Sequence, residues 1–185
     1  MKKLHLYSAS NVDQMAWPAA ITSISIETPA LQFFTDFKYN RPLIIDSSIS
    51  AVDVKKLMRN AHVRLKFVID EKNKFLGVIS TDELIDSTIV KKISKGVCRE
   101  EILVTDLMRS KSNLLALDYD ALADATIDDV ISVLKDSGQR HCLVVDKTSN
   151  QIRGIFSASD ISRMLQLPIN IQEKSSFYEI FVATV

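Results

Sequence analysis

The sequence predicts an α/β fold of the α+β type, built from two tandem copies of one β-α-β-β-α unit. Two observations predict it. The stretch Arg140 to Ile161 reads RHCLVVDKTSNQIRGIFSASDI, and Arg64 to Leu84 reads RLKFVIDEKNKFLGVISTDEL. Each runs apolar strand, Asp, polar turn, apolar strand with a leading Gly, then Ser-x-x-acid at a helix start. The spacing also holds. Asp70 and Asp146 stand 76 residues apart, while Gly77 and Gly154, Ser80 and Ser157, and Glu83 and Asp160 each stand 77 apart. A supersecondary unit that recurs at constant spacing marks a repeat. The one extra residue falls in the polar turn, where insertions are tolerated.

The elements follow in order. Residues 1–29 form an N-terminal extension in which Trp17-Pro18 makes a turn. There Ile24 and Ile26 alternate with Ser23, Ser25 and Glu27 as a half-buried strand does, and Pro29 ends it. The first repeat covers 30–97. Ala30 to Phe37 suggests a short helix, and Leu43 to Ile45 a buried strand. Ser50 is an N-cap with Asp53 three residues on, opening a helix with Val54, Leu57 and Met58 as its stripe. Leu65–Ile69 and Phe75–Ile79 are strands about the turn Asp70 to Lys74, and Glu83 to about Ile93 is a helix.

The second repeat covers 98–168. Val104-Thr105-Asp106-Leu107-Met108 echoes Phe34-Thr35-Asp36-Phe37-Lys38 at an offset of 70, and Leu114 to Leu117 is the next strand. Thr126 with Asp129 repeats the capping pattern. Ile127, Val130, Ile131 and Leu134 give an i, i+3, i+4, i+7 face, and Gly138 ends that helix. Cys142 to Val145 and Ile152 to Phe156 are strands, and Asp160 to Leu167 is a helix stopped before Pro168. The tail 169–185 ends in the apolar run Phe177 to Val185, suited to pairing with Ile21 to Ile26 or to an oligomer contact.

Composition narrows the function. An apolar share of 46% over 185 residues can bury a sizeable core. Charges balance at 23 against 23, which disfavours a nucleic-acid partner held by a basic face. Two cysteines, Cys98 and Cys142, are too few for a disulfide framework, so both are expected as thiols in a cytoplasmic protein. No apolar run reaches the length of a membrane span. Met1-Lys2-Lys3 resembles a signal start, but Ser8, Ser10, Asn11 and Asp13 interrupt any apolar segment. No GxSxG elbow, HExxH, P-loop, CxxC or GxGxxG is present, and His5, His62 and His141 are scattered. An enzyme is not expected, and neither is a metal site.

The order strand, capped helix, strand, Asp-turn, strand, Gly-x-x-Ser-x-x-acid, helix resembles the CBS domain (cystathionine beta-synthase domain). The resemblance runs from about Leu31 to Leu167 and occurs twice, more closely in Arg140–Asp146 with Gly154–Ile161. Leu143 stands where the family often has Pro. The resemblance implies a pseudo-twofold tandem pair, a Bateman module, that associates into homodimers. It also implies a cleft for an adenine nucleotide or a related adenosyl ligand: AMP, ADP, ATP or S-adenosylmethionine.

Carried over residue by residue, the second site takes Ser157 and Asp160 at ribose and phosphate. Leu115, Cys142 and Ile155 lie near the base, with Arg140, His141 and Arg153 as phosphate partners. An Asp in the first turn of a helix can accept ribose hydroxyl protons while the helix terminus favours its charge. The first site takes Ser80, Glu83, Arg64, Leu65 and Arg41, with Arg64 and Arg41 alternatively reaching the phosphates of the second. It departs from the family pattern, because Glu83 is one methylene longer than Asp, and a weak or empty first site is expected. Every one of these residues has a structural alternative: Ser157 as a cap, Asp160 and Glu83 as helix-start acids, Cys142 as a small hydrophobe.

The functional expectation is a stand-alone regulatory pair that needs no cofactor. It binds an adenosyl ligand and signals by conformational change to an unidentified regulated protein. The alternative is an interaction or dimerisation module that binds no nucleotide.

Overall fold

The structure, a computed structural model, describes residues 8, 10, 14, 24–85, 89–90, 93–94, 96 and 98–171. A 3-10 turn at Ala30–Gln32 leads into β1 (Thr35–Asp36), followed by β2 (Ile44–Asp46), α1 (Ala51–Asn60), β3 (Leu65–Ile69) and β4 (Phe75–Ser80). The second half repeats this order. A 3-10 turn at Val104–Asp106 leads into β5 (Arg109–Ser110), then β6 (Ala116–Asp118), α2 (Ile127–Ser137), β7 (His141–Asp146), β8 (Gln151–Ser157) and α3 (Ala158–Leu165).

Local chemistry sets the element ends. At α1, Ser50 Oγ accepts the Asp53 N–H at 3.2 Å and donates to the Asp53 carboxylate at 2.8 Å. At α2, Thr126 and Asp129 do the same, and the Thr126 N–H also donates to Asp129 Oδ2 at 2.8 Å, a closed capping box. Gly138 ends α2 with φ 66°, and His62 takes the corresponding left-handed position after α1 with φ 51°. In the hairpins, Asp70 Oδ1 accepts the N–H groups of Lys72 and Lys74, and Asp146 Oδ1 those of Thr148 and Ser149. This turn chemistry is why Asp recurs at the end of each strand.

The described residues form two four-stranded sheets, with the orders β1-β8-β7-β6 and β2-β3-β4-β5. Within a repeat, β2 pairs parallel with β3 across α1, and β6 with β7 across α2, while β3-β4 and β7-β8 are antiparallel hairpins. The lead strands cross over. β1 pairs with β8 of the second repeat, and β5 pairs with β4 of the first. The crossing is symmetric: the Ala30 N–H donates to the Ala125 carbonyl at 2.9 Å, and the Val104 N–H to the Ile49 carbonyl at 2.9 Å.

The crossing explains the leading glycine of each Ser motif. A Cβ on Gly77 would collide with the Arg109 carbonyl of β5. One on Gly154 would collide with the Thr35 carbonyl of β1 and the Phe34 ring. Glycine stands there because another backbone lies on top of it.

Among the described residues three apolar clusters result. The second-repeat core gathers Ile127, Val130, Leu134, Val144, Phe156 and Ile161 with Ala30 and Phe33 from before β1. The first-repeat core gathers Val54, Met58, Val68, Ile79 and Ile89 with Ile102, Val104 and Leu107 from before β5. Between the sheets lie Leu65, Phe67, Val78, Leu143 and Ile155, with Phe37 edge-on to Phe67 at 5.2 Å.

Several expectations are corrected. Ala30 to Phe37 is a 3-10 turn and a strand rather than one helix, because the backbone extends to pair with β8. The structural equivalence of the lead strands is Thr35 with Arg109, an offset of 74, and not the 70 of the Thr-Asp echo. Leu57 is half-exposed, so the buried face of α1 is Ala51, Val54 and Met58. Glu83 lies in a turn and not in a helix; Ile89, Val90 and Ile93 are helical. Ile24 and Ile26 are exposed, and the chain turns at Ile26 and Glu27 rather than extending. The tail run Phe177 to Val185, the Trp17-Pro18 turn and Ile21 lie outside the described residues.

Candidate ligand-binding site

The sheets pack so that the start of α3 faces the first repeat across a cleft of about 530 Å³. Its walls include Ser157 and Asp160 from the second repeat and Arg41, Leu43, Arg64 and Leu65 from the first, with Phe37 and Ile155 at its base. Ser157 Oγ caps α3 by accepting the Asp160 N–H at 3.4 Å. Asp160 Oδ1 accepts from Arg163 at 2.7 Å, a pair at the solvent edge. A carboxylate, a hydroxyl and a helix start thus face two guanidiniums over an apolar floor. That set suits a ligand with vicinal hydroxyls, an anionic group and a flat apolar body.

The counterpart cleft is smaller, about 250 Å³, and is lined by Asp82, Glu83, Arg109, Gly138, Gln139, Arg140 and His141. Glu83 Oε2 accepts both the Ser80 N–H at 2.7 Å and the Ser80 hydroxyl at 2.5 Å. Glu83 Oε1 lies 3.0 Å from Arg109 Nε. That nitrogen is buried and in charge contact, but off the line of a hydrogen bond. Arg140 lies 3.9 Å from Asp82, a loose pair.

Each cleft therefore combines the Ser motif of one repeat with the strand start of the other. Arg64 and Arg41 line the second cleft, the alternative the sequence left open, and Leu65, expected at the first site, lines the second as well. Arg140 lines the first cleft together with Glu83, and His141 borders both. Arg64 also borders a further cavity of about 490 Å³ shared with Arg140. Burial lowers the His141 pKa below the usual histidine value, and the Arg109 charge lowers it further.

Four expected contacts are not brought to the second cleft: Arg140 lines the first one instead, and three others lie elsewhere. Arg153 makes a bidentate pair with Asp36, Nε to Oδ1 at 2.8 Å and Nη2 to Oδ2 at 2.6 Å, and lies 4.3 Å over the Tyr119 ring. Cys142 is buried in the second-repeat core, which pushes its thiol pKa up. Leu115 is 66% exposed, while Leu43, its counterpart before β2, lines the cleft instead. Sequence reasoning missed Thr35, Phe37 and Leu43, whose roles depend on the crossing of β1 and on which sheet faces which. Among the described residues no group of acidic, His and Cys side chains could hold a metal, and no helix is long and apolar enough to cross a membrane.

Comparison with known structures agrees with the fold. An uncharacterised conserved protein from Pyrococcus horikoshii matches with a TM-score of 0.56 at 18% identity, covering 80% of this chain and 98% of that one. CBSX2 in complex with AMP matches at 0.53 and 22%, covering 74% and 94%. A CBS-domain protein of unknown function from Thermoplasma acidophilum matches at 0.51 and 22%, covering 70% and 68%. A comparison with curated proteins gives no match. The family profile of the CBS domain matches twice, over residues 36–88 and 104–167. With two copies over most of its length and two sheets in the pseudo-twofold arrangement, the chain belongs to the CBS-domain family as a tandem pair.

Proposed function

We propose that this pair is a regulatory sensor that binds one adenine nucleotide in the second cleft and signals, as a homodimer, to a separate regulated protein. One observation carries the reading: Ser157 and Asp160 at the start of α3 face Arg64 and Arg41 of the other repeat across one open cleft. Asp160 accepts the ribose hydroxyls, Ser157 and the helix start hold ribose or phosphate, and the two guanidiniums take the phosphate. Leu65, Ile155 and Leu43 cover the base. Two cations favour AMP, ADP or ATP over S-adenosylmethionine, which carries no phosphate. The AMP complex of CBSX2, a relative in fold, supports an adenosyl ligand for this architecture. Because the cleft is built from both repeats, occupancy changes how tightly they close, which regulates only a partner that distinguishes the two states.

The test is thermal unfolding with AMP, ADP, ATP, NAD and S-adenosylmethionine. A ligand at about 100 times its Kd adds about 2.7 kcal/mol, a rise of a few degrees for a chain of this size. Asp160→Ala is expected to abolish the shift while leaving the ligand-free midpoint nearly unchanged. A flat response across the panel would favour an interaction module instead. An unchanged shift in Asp160→Ala would remove the site assignment.

A further inference from the structure

The two clefts are related by the pseudo-twofold, so their residues can be compared position by position. β1 and β5 fix the correspondence: Thr35 lies opposite Ile155, and Arg109 opposite Val78. Glu83 corresponds to Asp160, Ser80 to Ser157 and Arg109 to Thr35. In the second cleft Thr35 and Ser157 line open space. In the first, which is less than half that size, a charge pair stands at the corresponding positions. Glu83 folds back onto Ser80, using one carboxylate oxygen for the Ser80 N–H and hydroxyl, and turns the other toward Arg109 at 3.0 Å. The Glu83 side chain is 19% exposed and that of Arg109 31% exposed.

We propose that the Glu83–Arg109 pair is an internal occupant of the first cleft, and that Arg109 limits the chain to one nucleotide. This rests on the nucleotide reading of the second cleft. The physical reasons are two. Both Glu83 oxygens are engaged, one by Ser80 and one by the half-buried Arg109, whereas Asp160 gives only Oδ1, to the exposed Arg163. A ligand would have to separate the pair and leave Arg109 Nε, which is buried, without its counter-charge. The longer reach of Glu over Asp is what lets the carboxylate touch both Ser80 and Arg109, so residues 83 and 109 act together.

The test counts bound AMP by titration calorimetry and equilibrium dialysis in the full chain. The wild type is expected to bind one per chain. The double variant Glu83→Asp with Arg109→Thr rebuilds the first cleft on the pattern the fold already holds in the second, and is expected to bind two. Adding Asp160→Ala to it is expected to leave one. Should the double variant fail to fold, Arg109→Thr alone, which removes the guanidinium from the cleft and releases one Glu83 oxygen, is expected to raise the count to two as well. A wild-type count of two, or a count that stays at one in whichever of these variants folds, overturns this proposal and leaves the nucleotide reading standing. A wild type that binds none beside a variant that binds one supports the internal occupant and faults the second cleft. No binding in any form overturns both.

Discussion

At the scale of the residue, the most informative side chain is Arg153, because its chemistry suits either of two jobs and only its neighbours choose between them. A planar guanidinium binds phosphate or carboxylate equally well. Here Asp36 holds both of its faces-forward nitrogens, and the Phe37 N–H donates to the Arg153 carbonyl at 2.8 Å on the adjoining strand. The pair therefore fastens β1 to the second repeat. The Arg153 hydrogen bonds hold the Asp36 pKa below its ordinary value, against the opposing effect of burial. A carboxyl whose folded pKa is depressed gives its full stabilisation above the unfolded value, about 3.9, and loses it as the pH falls through the folded one. The wild type is thus expected to lose more stability than Asp36→Asn between about pH 5 and about pH 3, the range where the unfolded carboxyl takes its proton first. Denaturant midpoints across that range measure it. Parallel pH profiles for the two proteins would mean that Asp36 contributes nothing through Arg153.

At the scale of the element, the sequence was legible wherever the determinant was local. Ser50, Thr126 and Gly138 mark helix ends because a cap is satisfied within a few residues. The strands β3, β4, β7 and β8 stand where apolar runs and Asp turns put them, because a hairpin is fixed by its own turn. The two-residue strands β1 and β5 were not legible. Each is too short to show a period, and each owes its extended form to a partner more than thirty residues away in sequence. Their trace is the glycine that faces each of them, visible in the repeat but explained only by the crossing. Gly154→Ala is accordingly expected to cost about 1–3 kcal/mol, the range for forcing atoms into a packed site. The added carbon meets the Thr35 carbonyl and the Phe34 ring. Urea unfolding measures the cost, and an unchanged midpoint would show that β1 yields freely.

At the scale of the whole molecule, the same crossing decided how much of the site could be read in advance. The chemistry of the cleft, an Ser and an Asp at a helix start with Arg nearby, was legible because the motif is contiguous. Which Arg serves which cleft was not, since each site joins one repeat's motif to the other repeat's strand start. The crossing also carries an energetic consequence. Phe33 belongs by sequence to the first repeat, yet it is 4% exposed inside the core of the second. Leu107 does the converse, lying beyond the first repeat in sequence and packing in its core. Two repeats that exchange core residues and edge strands in this way should not melt separately. Phe33→Ala is expected to destabilise by about 3–5 kcal/mol, the usual cost of removing a buried Phe. It should do so in a single transition, with equal loss of amide-exchange protection in β3 and β7. Calorimetry and hydrogen exchange together decide it. If β7 alone lost protection and a second transition appeared, the repeats would be independent folding units joined by two short strands.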